Sequence, residues 1–391
     1  MPSAITVGLL ALAASSDVAA APQAGAKAHK VALQSRVPPK GQFTSVRKRA
    51  SKAIGVPLDD FFMGTDLQWF GNISVGTPPQ TVSVVFDTGS QTLEFASTDC
   101  SDCTQPNKFD PSKSSTFKRG RQTTTLDFAT GVGVDPVVNN DYVLTIRSAT
   151  DTVTVGGTSL SDVSLFTIID QTPKFNIDPF LGIQGMGSQA EGFFEALIRQ
   201  GLPSLFSLFL TPHTDGGAEL LIGGIDDTKF EGDLIYADQT GEGDWEVEST
   251  QISVNGKTNS ILKTSRSVIF DSGTSNILFD TQTTEAMYAL ISPDIKPFAA
   301  EPGAYGLPCS EIGGLPAVID LTFVSQSGQP FNLTIPSEEL NVGPFESDPS
   351  TCQTLINAFD GLELVGGSLL KHYYSVWDVG GQRMGFAPNG L

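Results

Sequence analysis

The chain has 391 residues, 39 % hydrophobic and 17 % charged, with 23 Lys plus Arg against 43 Asp plus Glu and a net charge of −20 at neutral pH. That balance excludes nucleic acid as the principal partner, the hydrophobic content excludes wholesale disorder, and no apolar run approaches the ~18 residues of a membrane-spanning helix. The length suggests two or three domains, and residues 385–391 carry no hydrophobic tail, so no membrane anchor is expected.

In chain order, residues 5–14 form a short apolar run followed by small residues ending in Val18-Ala19-Ala20-Ala21-Pro22, which reads as a signal peptide over residues 1–21. Residues 22–60 then hold eight basic side chains against Asp59 and Asp60, whereas residues 61–391 hold 15 basic and 40 acidic. A basic propeptide over 22–55, with Lys48-Arg49 as a dibasic cleavage site, would lie across the acidic body as an intramolecular inhibitor until acid protonates the carboxylates. Beyond it the texture is short β-branched or aromatic runs bounded by Gly, Pro, Asp or Asn, at 82–86, 142–146, 152–155, 219–222, 268–270 and 318–323, each predicting a strand. Helical spacing occurs only at 191–199, 281–290 and 368–372. The fold class is therefore mostly β.

Four cysteines allow three pairings; Cys100 and Cys103 are close enough to pair locally, which would leave Cys309 with Cys352. A Cys-x-x-Cys pair can also be redox-active or half of a zinc site, but no second such pair or spaced His pair accompanies it, so structural disulfides and no metal are expected. Asn72-Ile73-Ser74 and Asn332-Leu333-Thr334 are glycosylation acceptors by pattern.

The most informative feature is a repeat. Val84-Val85-Phe86-Asp87-Thr88-Gly89-Ser90 and Val268-Ile269-Phe270-Asp271-Ser272-Gly273-Thr274 share the order apolar, apolar, Phe, Asp, hydroxyl, Gly, hydroxyl. Downstream of each comes an apolar-then-Gly element, Ile183-Gln184-Gly185 and Leu364-Val365-Gly366, so two similar lobes are expected, split near residue 230 into 56–230 and 231–391. A buried strand that ends in Asp followed by hydroxyl-Gly-hydroxyl holds its carboxylate in a tight turn where Gly permits φ values that other residues avoid. Two such carboxyls facing each other cannot both ionise easily, and the pair holding one proton is a general base and a general acid in one unit.

These motifs resemble those of the secreted, pepsin-like aspartic proteases of fungal type, over most of the chain from about residue 61. Trp69-Phe70-Gly71 with Gly76-Thr77-Pro78-Pro79-Gln80 is similar to the family's opening strand and turn, and Phe109-Asp110-Pro111 to the segment before its flap. Leu221-Ile222-Gly223-Gly224-Ile225-Asp226 is similar to the passage between lobes and Tyr373-Tyr374-Ser375-Val376-Trp377-Asp378 to the closing strand. The cysteine positions match the family's two local disulfides. The resemblance implies a bilobal fold of two pseudo-symmetric, barrel-like β lobes around a cleft, no cofactor, and endopeptidase action in acid by a zymogen-derived monomer, secreted or kept in a vacuole and sensitive to pepstatin-type inhibitors.

It also implies roles. Asp87 and Asp271 would hold a water, Ser90 and Thr274 would hydrogen-bond the outer carboxylate oxygens, and Thr88 and Ser272 would cross-brace the loops that Gly89 and Gly273 turn. Phe128-Ala129-Thr130-Gly131 would be the flap, with Phe128 where the family has Tyr, Ala129 where Gly is usual, and Glu94 where that Tyr's Trp partner stands. Losing both ends of one hydrogen bond should leave no buried partner unpaired. Gly367 replaces a frequent Asp, Gln184 a usual apolar residue, and Thr130 the acidic residue that lets some fungal relatives accept Lys, so hydrophobic side chains are expected at the cut.

His213 and His372 belong to no metal motif and read as surface or loop residues, and Phe193, Phe194, Phe206 and Phe209 read as core. No nucleophile elbow, phosphate loop or dinucleotide fingerprint is present. Two other readings stay open: a catalytically silent relative that binds peptides or a partner in the cleft, which the altered flap keeps alive, and a glycosidase using two carboxylates, which the hydroxyl-Gly turns fit poorly.

Overall fold

The computed structural model describes residues 53–131, 141–189, 192–241 and 243–391; the leader, the Lys48-Arg49 pair and all but the end of the basic stretch lie outside them. The first half folds as β1 (Ile54–Phe62), β2 (Asp66–Val75), β3 (Gln80–Asp87), β4 (Leu93–Ala96), β5 (Lys118–Asp127), β6 (Val143–Val155), β7 (Thr158–Gln171), β8 (Gly182–Gly185), α1 (Phe193–Arg199), β9 (Leu205–Phe209) and β10 (Glu219–Ile222). The second half folds as β11 (Ile235–Asp238), β12 (Glu246–Val254), β13 (Arg266–Phe270), β14 (Ile277–Phe279), α2 (Thr281–Ile291), β15 (Lys296–Pro297), β16 (Tyr305–Pro308) and α3 (Cys309–Ile312). It continues with β17 (Ile319–Val324), β18 (Pro330–Ile335), β19 (Asn341–Pro344), β20 (Thr351–Thr354), β21 (Ile356–Ala358), β22 (Leu364–Val365), α4 (Gly367–Leu370), β23 (Tyr373–Asp378) and β24 (Arg383–Pro388). The protein is mostly β, consistent with the bilobal pepsin-like fold.

Three sheets carry it. A 13-stranded sheet runs β11-β24-β23-β9-β10-β1-β2-β3-β8-β4-β7-β6-β5, a 7-stranded sheet β18-β17-β12-β13-β22-β14-β21, and a 4-stranded sheet β15-β16-β20-β19. The closing strands β23 and β24 thus share a sheet with the opening strand β1, which begins at Ile54, inside the stretch that composition groups with the basic segment. The runs at 142–146 and 152–155 are one strand, β6, because the polar residues between them continue the ladder with β7 through two register shifts. The spacing at 368–372 yields a single turn, α4.

The repeat has a structural counterpart. β3 pairs in parallel with β8, Asp87 opposite Gly185, and β13 pairs in parallel with β22, Phe270 opposite Val365. The apolar-then-Gly elements are therefore the parallel partners of the Asp-bearing strands. Val84, Val85, Phe86 and Asp87 are buried in succession, as expected of a strand covered on both faces.

Trp69, Trp245 and Trp377 are fully enclosed; Phe206 stacks on Trp377 and meets Trp245 edge-on. The expected core aromatics Phe193, Phe194 and Phe206 are buried, and Phe209 is half-buried with the Lys229 ammonium 4.7 Å above its ring. Cys100 is bridged to Cys103 and Cys309 to Cys352. Asn72 and Asn332 are both exposed, each in a strand.

A charged cluster joins distant segments. Lys371 is buried with Nζ 2.7 Å from Asp66 Oδ2 and 2.8 Å from Glu339 Oε2, and His372 Nε2 lies 3.1 Å from Glu339 Oε1. His372 is thus a loop residue, half-buried in the turn between α4 and β23 and hydrogen-bonded to the Glu339 carboxylate. Beside it, burial and then the Asp66 carboxyl push Asp60 up to about 8. His213 keeps to the surface, stacked on Phe62.

Candidate active site

Each carboxyl stands at the end of a strand whose neighbours fix it. Asp87 Oδ1 accepts from Gly89 N at 2.8 Å, and Asp271 Oδ1 accepts from Gly273 N at 2.7 Å, the same contact in both repeats. The two loops are laced together: Ser272 N donates to Thr88 Oγ1 at 2.8 Å and Thr88 N to Ser272 Oγ at 3.1 Å. The two hydroxyls donate onward across the interface, Thr88 to Phe270 O at 3.0 Å and Ser272 to Phe86 O at 2.6 Å. Four bonds between buried groups hold the two carboxyls in one place, with no water needed to satisfy them.

The glycines need a correction. Neither Gly89 nor Gly273 adopts positive φ, so backbone freedom is not their reason. A Cβ on Gly89 would lie 2.7 Å from Asp271 Cγ, and one on Gly273 would collide with Asp87 Oδ1. They are glycines because the opposite carboxyl occupies the space.

The half-sites differ in their outer donors. Thr274 Oγ1 donates to Asp271 Oδ2 at 2.6 Å, whereas Ser90 Oγ lies close enough to lower the Asp87 pKa yet completes no well-directed hydrogen bond. Burial, then the Asp271 charge and hydrogen bond, hold Asp87 well above the ordinary carboxylate range, against the pull of Ser90 and Gly89 N. Asp244, ahead of β12, is raised as well, by burial and then by Glu246 and Asp271.

Over the carboxyls lies a cavity of about 40 Å³ lined by Gln68, Val85, Phe128, Thr130, Gly131, Phe175, Ile183 and Gly273. The flap residues are thus brought to the dyad, apart from Ala129, which is exposed. Phe128 packs edge-on against Phe175 at 5.7 Å, an aromatic contact in place of the hydrogen bond a Tyr would make. Gln68 carried no sequence signal; its Nε2 donates to Gly273 O at 2.5 Å while Oε1 has no partner.

One departure finds its reason here, and one expectation fails. Gly367 has no room for a side chain, because the Trp69 ring lies 2.5 Å from where its Cβ would stand. Gln184 is buried with Nε2 donating to Gly185 O at 2.6 Å and Oε1 without a partner, so its amide has no structural explanation. Glu94, however, is fully enclosed, accepts from Thr92 Oγ1 at 2.6 Å through Oε2, and leaves Oε1 unpaired. The exchange of Trp for Glu therefore does leave a buried polar atom without a partner, and burial pushes this carboxyl up to about 8. Among the described residues no group of three or more His, Cys, Asp or Glu could hold a metal ion.

The family described as eukaryotic aspartyl protease matches residues 68–389. Pepsin A of Sus scrofa is 30 % identical over 354 residues, covering 85 % of this chain and 83 % of its own length. Cathepsin E-B of Xenopus laevis is 29 % identical over 364 residues, covering 85 % and 82 %. Cathepsin E of Aquarana catesbeiana is 28 % identical over 344 residues, covering 83 % and 80 %. With a family match over most of its length and paired Asp loops laced across two lobes, the chain belongs to the eukaryotic aspartyl proteases, the pepsin-like aspartic endopeptidases.

Proposed function

We propose that this protein hydrolyses peptide bonds of proteins in acid, using a water held between Asp87 and Asp271. The observation that carries the reading is the mutual approach of the carboxyls, so close that neither loop tolerates a Cβ, with burial and the Asp271 carboxyl raising the Asp87 pKa well above the ordinary carboxylate range. Like charges that close share one proton. The ionised carboxyl takes a proton from the water while the protonated one gives its own to the scissile carbonyl oxygen. The water oxygen bonds to the carbonyl carbon and a neutral diol forms. A proton then passes to the leaving nitrogen as the C–N bond breaks, with no covalent enzyme intermediate. Because the titration belongs to the pair, the shared proton is not assigned to either residue.

Val85, Ile183, Phe128 and Phe175 present apolar surface beside the dyad, which supports hydrophobic side chains next to the cut. Two disulfides and an apolar leader support export, to the outside or to an acidic vacuole. The charge contrast between residues 22–52 and the acidic body supports an inhibitory propeptide released in acid, and the exposed Asn72 and Asn332 are open to glycosylation.

The test is cleavage of a denatured protein at about pH 3 to 5, where a shared carboxyl proton persists, by wild type, Asp87→Asn and Asp271→Asn, each with and without pepstatin. Wild-type cleavage abolished by either substitution and by the inhibitor is the expected result. A folded, propeptide-free wild type without cleavage would leave the silent peptide-binding relative as the better reading.

A further inference from the structure

The second half brings one more carboxyl to the dyad. β12 pairs antiparallel with β13, Glu246 opposite Ile269, and the contact runs one residue further, where Phe270 N donates to Trp245 O at 2.9 Å. The next step of that register brings Asp244 alongside the catalytic Asp271, close enough for the Asp271 charge to act on it. The segment is fixed in place. Gly243 O accepts from Gln91 Nε2 at 3.0 Å and from Ser188 Oγ at 2.9 Å, Asp244 O accepts from Gln239 Nε2 at 2.8 Å, and Trp245 Nε1 donates to Met186 O at 2.8 Å. Gln91 follows the Asp87 loop and Met186 follows β8, so the backbone at Asp244 is tied to both halves of the site.

The Asp244 carboxylate, by contrast, is half-buried and meets no donor or cation among the described residues. Its neighbour Glu246 already accepts from Ser267 Oγ. Asp244 also stands outside the cavity that Val85, Phe128, Phe175 and Ile183 line. The dyad therefore has an apolar wall on one side and an unpaired carboxylate on another. A substrate laid over the dyad covers both. An apolar side chain over the carboxylate would strip its water and return no hydrogen bond, whereas a cationic one would pair with it. We infer that Asp244 is a specificity-determining residue: its carboxylate receives a cationic side chain, Lys or Arg, of the substrate on the side of the scissile bond away from the apolar cavity. The inference rests on the endopeptidase reading.

The charged groups acting on Asp244 are Glu246 on its own strand and Asp271 across the ladder, both acidic, and the side chains that hold its segment, Gln91, Ser188 and Gln239, are neutral. The balancing charge is therefore left to the substrate. Burial, then Glu246 and Asp271, raise the Asp244 pKa above the ordinary carboxylate value. In strong acid the group is protonated and neutral, and it gains its charge as pH rises, while Lys and Arg stay charged throughout. The preference for a cation should grow in the same direction.

The experiment measures kcat/KM from about pH 3 to 6 on peptides that share one cleavage site, confirmed by product mass, and carry Lys or its uncharged analogue norleucine at successive positions on either side of the cut. The enzymes are wild type, Asp244→Asn and Glu246→Gln. The ratio of the two peptides cancels the titration of the dyad, which cuts both. At a position on one side of the cut, wild type should favour Lys about tenfold or more near pH 6, the worth of a hydrogen bond to a charged group, and much less near pH 3. Asp244→Asn should lose that preference and Glu246→Gln should keep it. An active wild type that favours Lys at no position, or by a ratio that does not change with pH, overturns the inference without recourse to the variants. So does a preference that survives in Asp244→Asn or is lost in Glu246→Gln. A wild type that cuts none of the peptides overturns the endopeptidase reading and this inference with it.

Discussion

Asp87 and Asp271 end the same kind of buried strand, beside the same kind of parallel partner, and accept from the same glycine amide two residues on. Their surroundings nevertheless differ. Both are buried and face each other, but Asp271 has a hydroxyl bond at 2.6 Å and, behind it, the flap, whereas Asp87 has only a poorly directed Ser90. The backbone and the cross-brace are symmetric, whereas the proton's environment is set by side chains at and beyond the edge of the repeat. A pair that must act as acid and base together gains from a symmetric frame with unequal neighbours.

The symmetric part should break symmetrically, and with the largest effect. Gly89→Ala and Gly273→Ala each place a Cβ against the opposite carboxyl, so each should lower kcat/KM by about 10²- to 10⁴-fold, the range over which general acid–base catalysis acts. Unequal losses from the two substitutions, measured on one peptide at the optimum, would show that the loops do not approach as equals.

The disulfides sharpen the comparison between the lobes. Cys309–Cys352 closes a separation of 43 residues and Cys100–Cys103 one of 3. In the chain-entropy account the first is worth about 4 kcal/mol and the second under about 2 kcal/mol. Urea unfolding of the two double Cys→Ser variants should show that ranking. A smaller effect from the longer loop would mean that residual structure in the unfolded second half already holds those ends together.

At the dyad itself, Thr274→Val removes a donor to a carboxylate, a bond worth about 1.5–3 kcal/mol, and should lower kcat/KM at least about tenfold. Ser90→Ala removes a hydroxyl without a well-directed partner and should cost under about fivefold. Steady-state kinetics on one substrate compare them directly, and equal effects would erase the distinction drawn between the half-sites.

The frame was legible in the sequence because its requirements fall on single residue types in a fixed order. An apolar strand, an Asp, a hydroxyl for the cross-brace and a Gly with no room for Cβ leave a seven-residue signature twice, and the partner strands leave a second one. What the sequence concealed are pairings between residues far apart in the chain. Gly367 is explained only by the Trp69 ring, Gln68 acts on Gly273, Thr130 reaches Thr274, and Lys371 draws Asp66 and Glu339 together. Each is an ordinary residue in an ordinary local context, and tertiary placement alone gives it a part. The helical spacing at 281–290, by contrast, needed no tertiary help: α2 starts where Asp280 caps it by accepting from Thr283 N at 2.7 Å.

A change of pH separates two buried acids, one in each half. Burial pushes Glu94 from an ordinary value near 4.5 to about 8, opposed only by the Thr92 hydroxyl. Burial also pushes Glu363 up to about 7, but the Arg266 guanidinium, 3.4 Å away, opposes it. Between the two values for Glu94 the folded chain keeps a proton that the unfolded chain has released. Stability is therefore full below about pH 4.5 and falls as pH rises toward 8, at up to about 1.4 kcal/mol per pH unit from this residue. Glu94→Gln cannot release a proton, so its urea midpoint should match wild type near pH 4 and lie above it at pH 7.5. Asp60 loses stability in the same direction and stays in both proteins, so the difference between the two curves isolates Glu94. Glu363→Gln should gain less at pH 7.5, because it also deprives Arg266 of its ion pair. Parallel curves for wild type and Glu94→Gln would mean that the unpaired Oε1 finds a partner in solution, and that the first half is no more sensitive to neutral pH than the second.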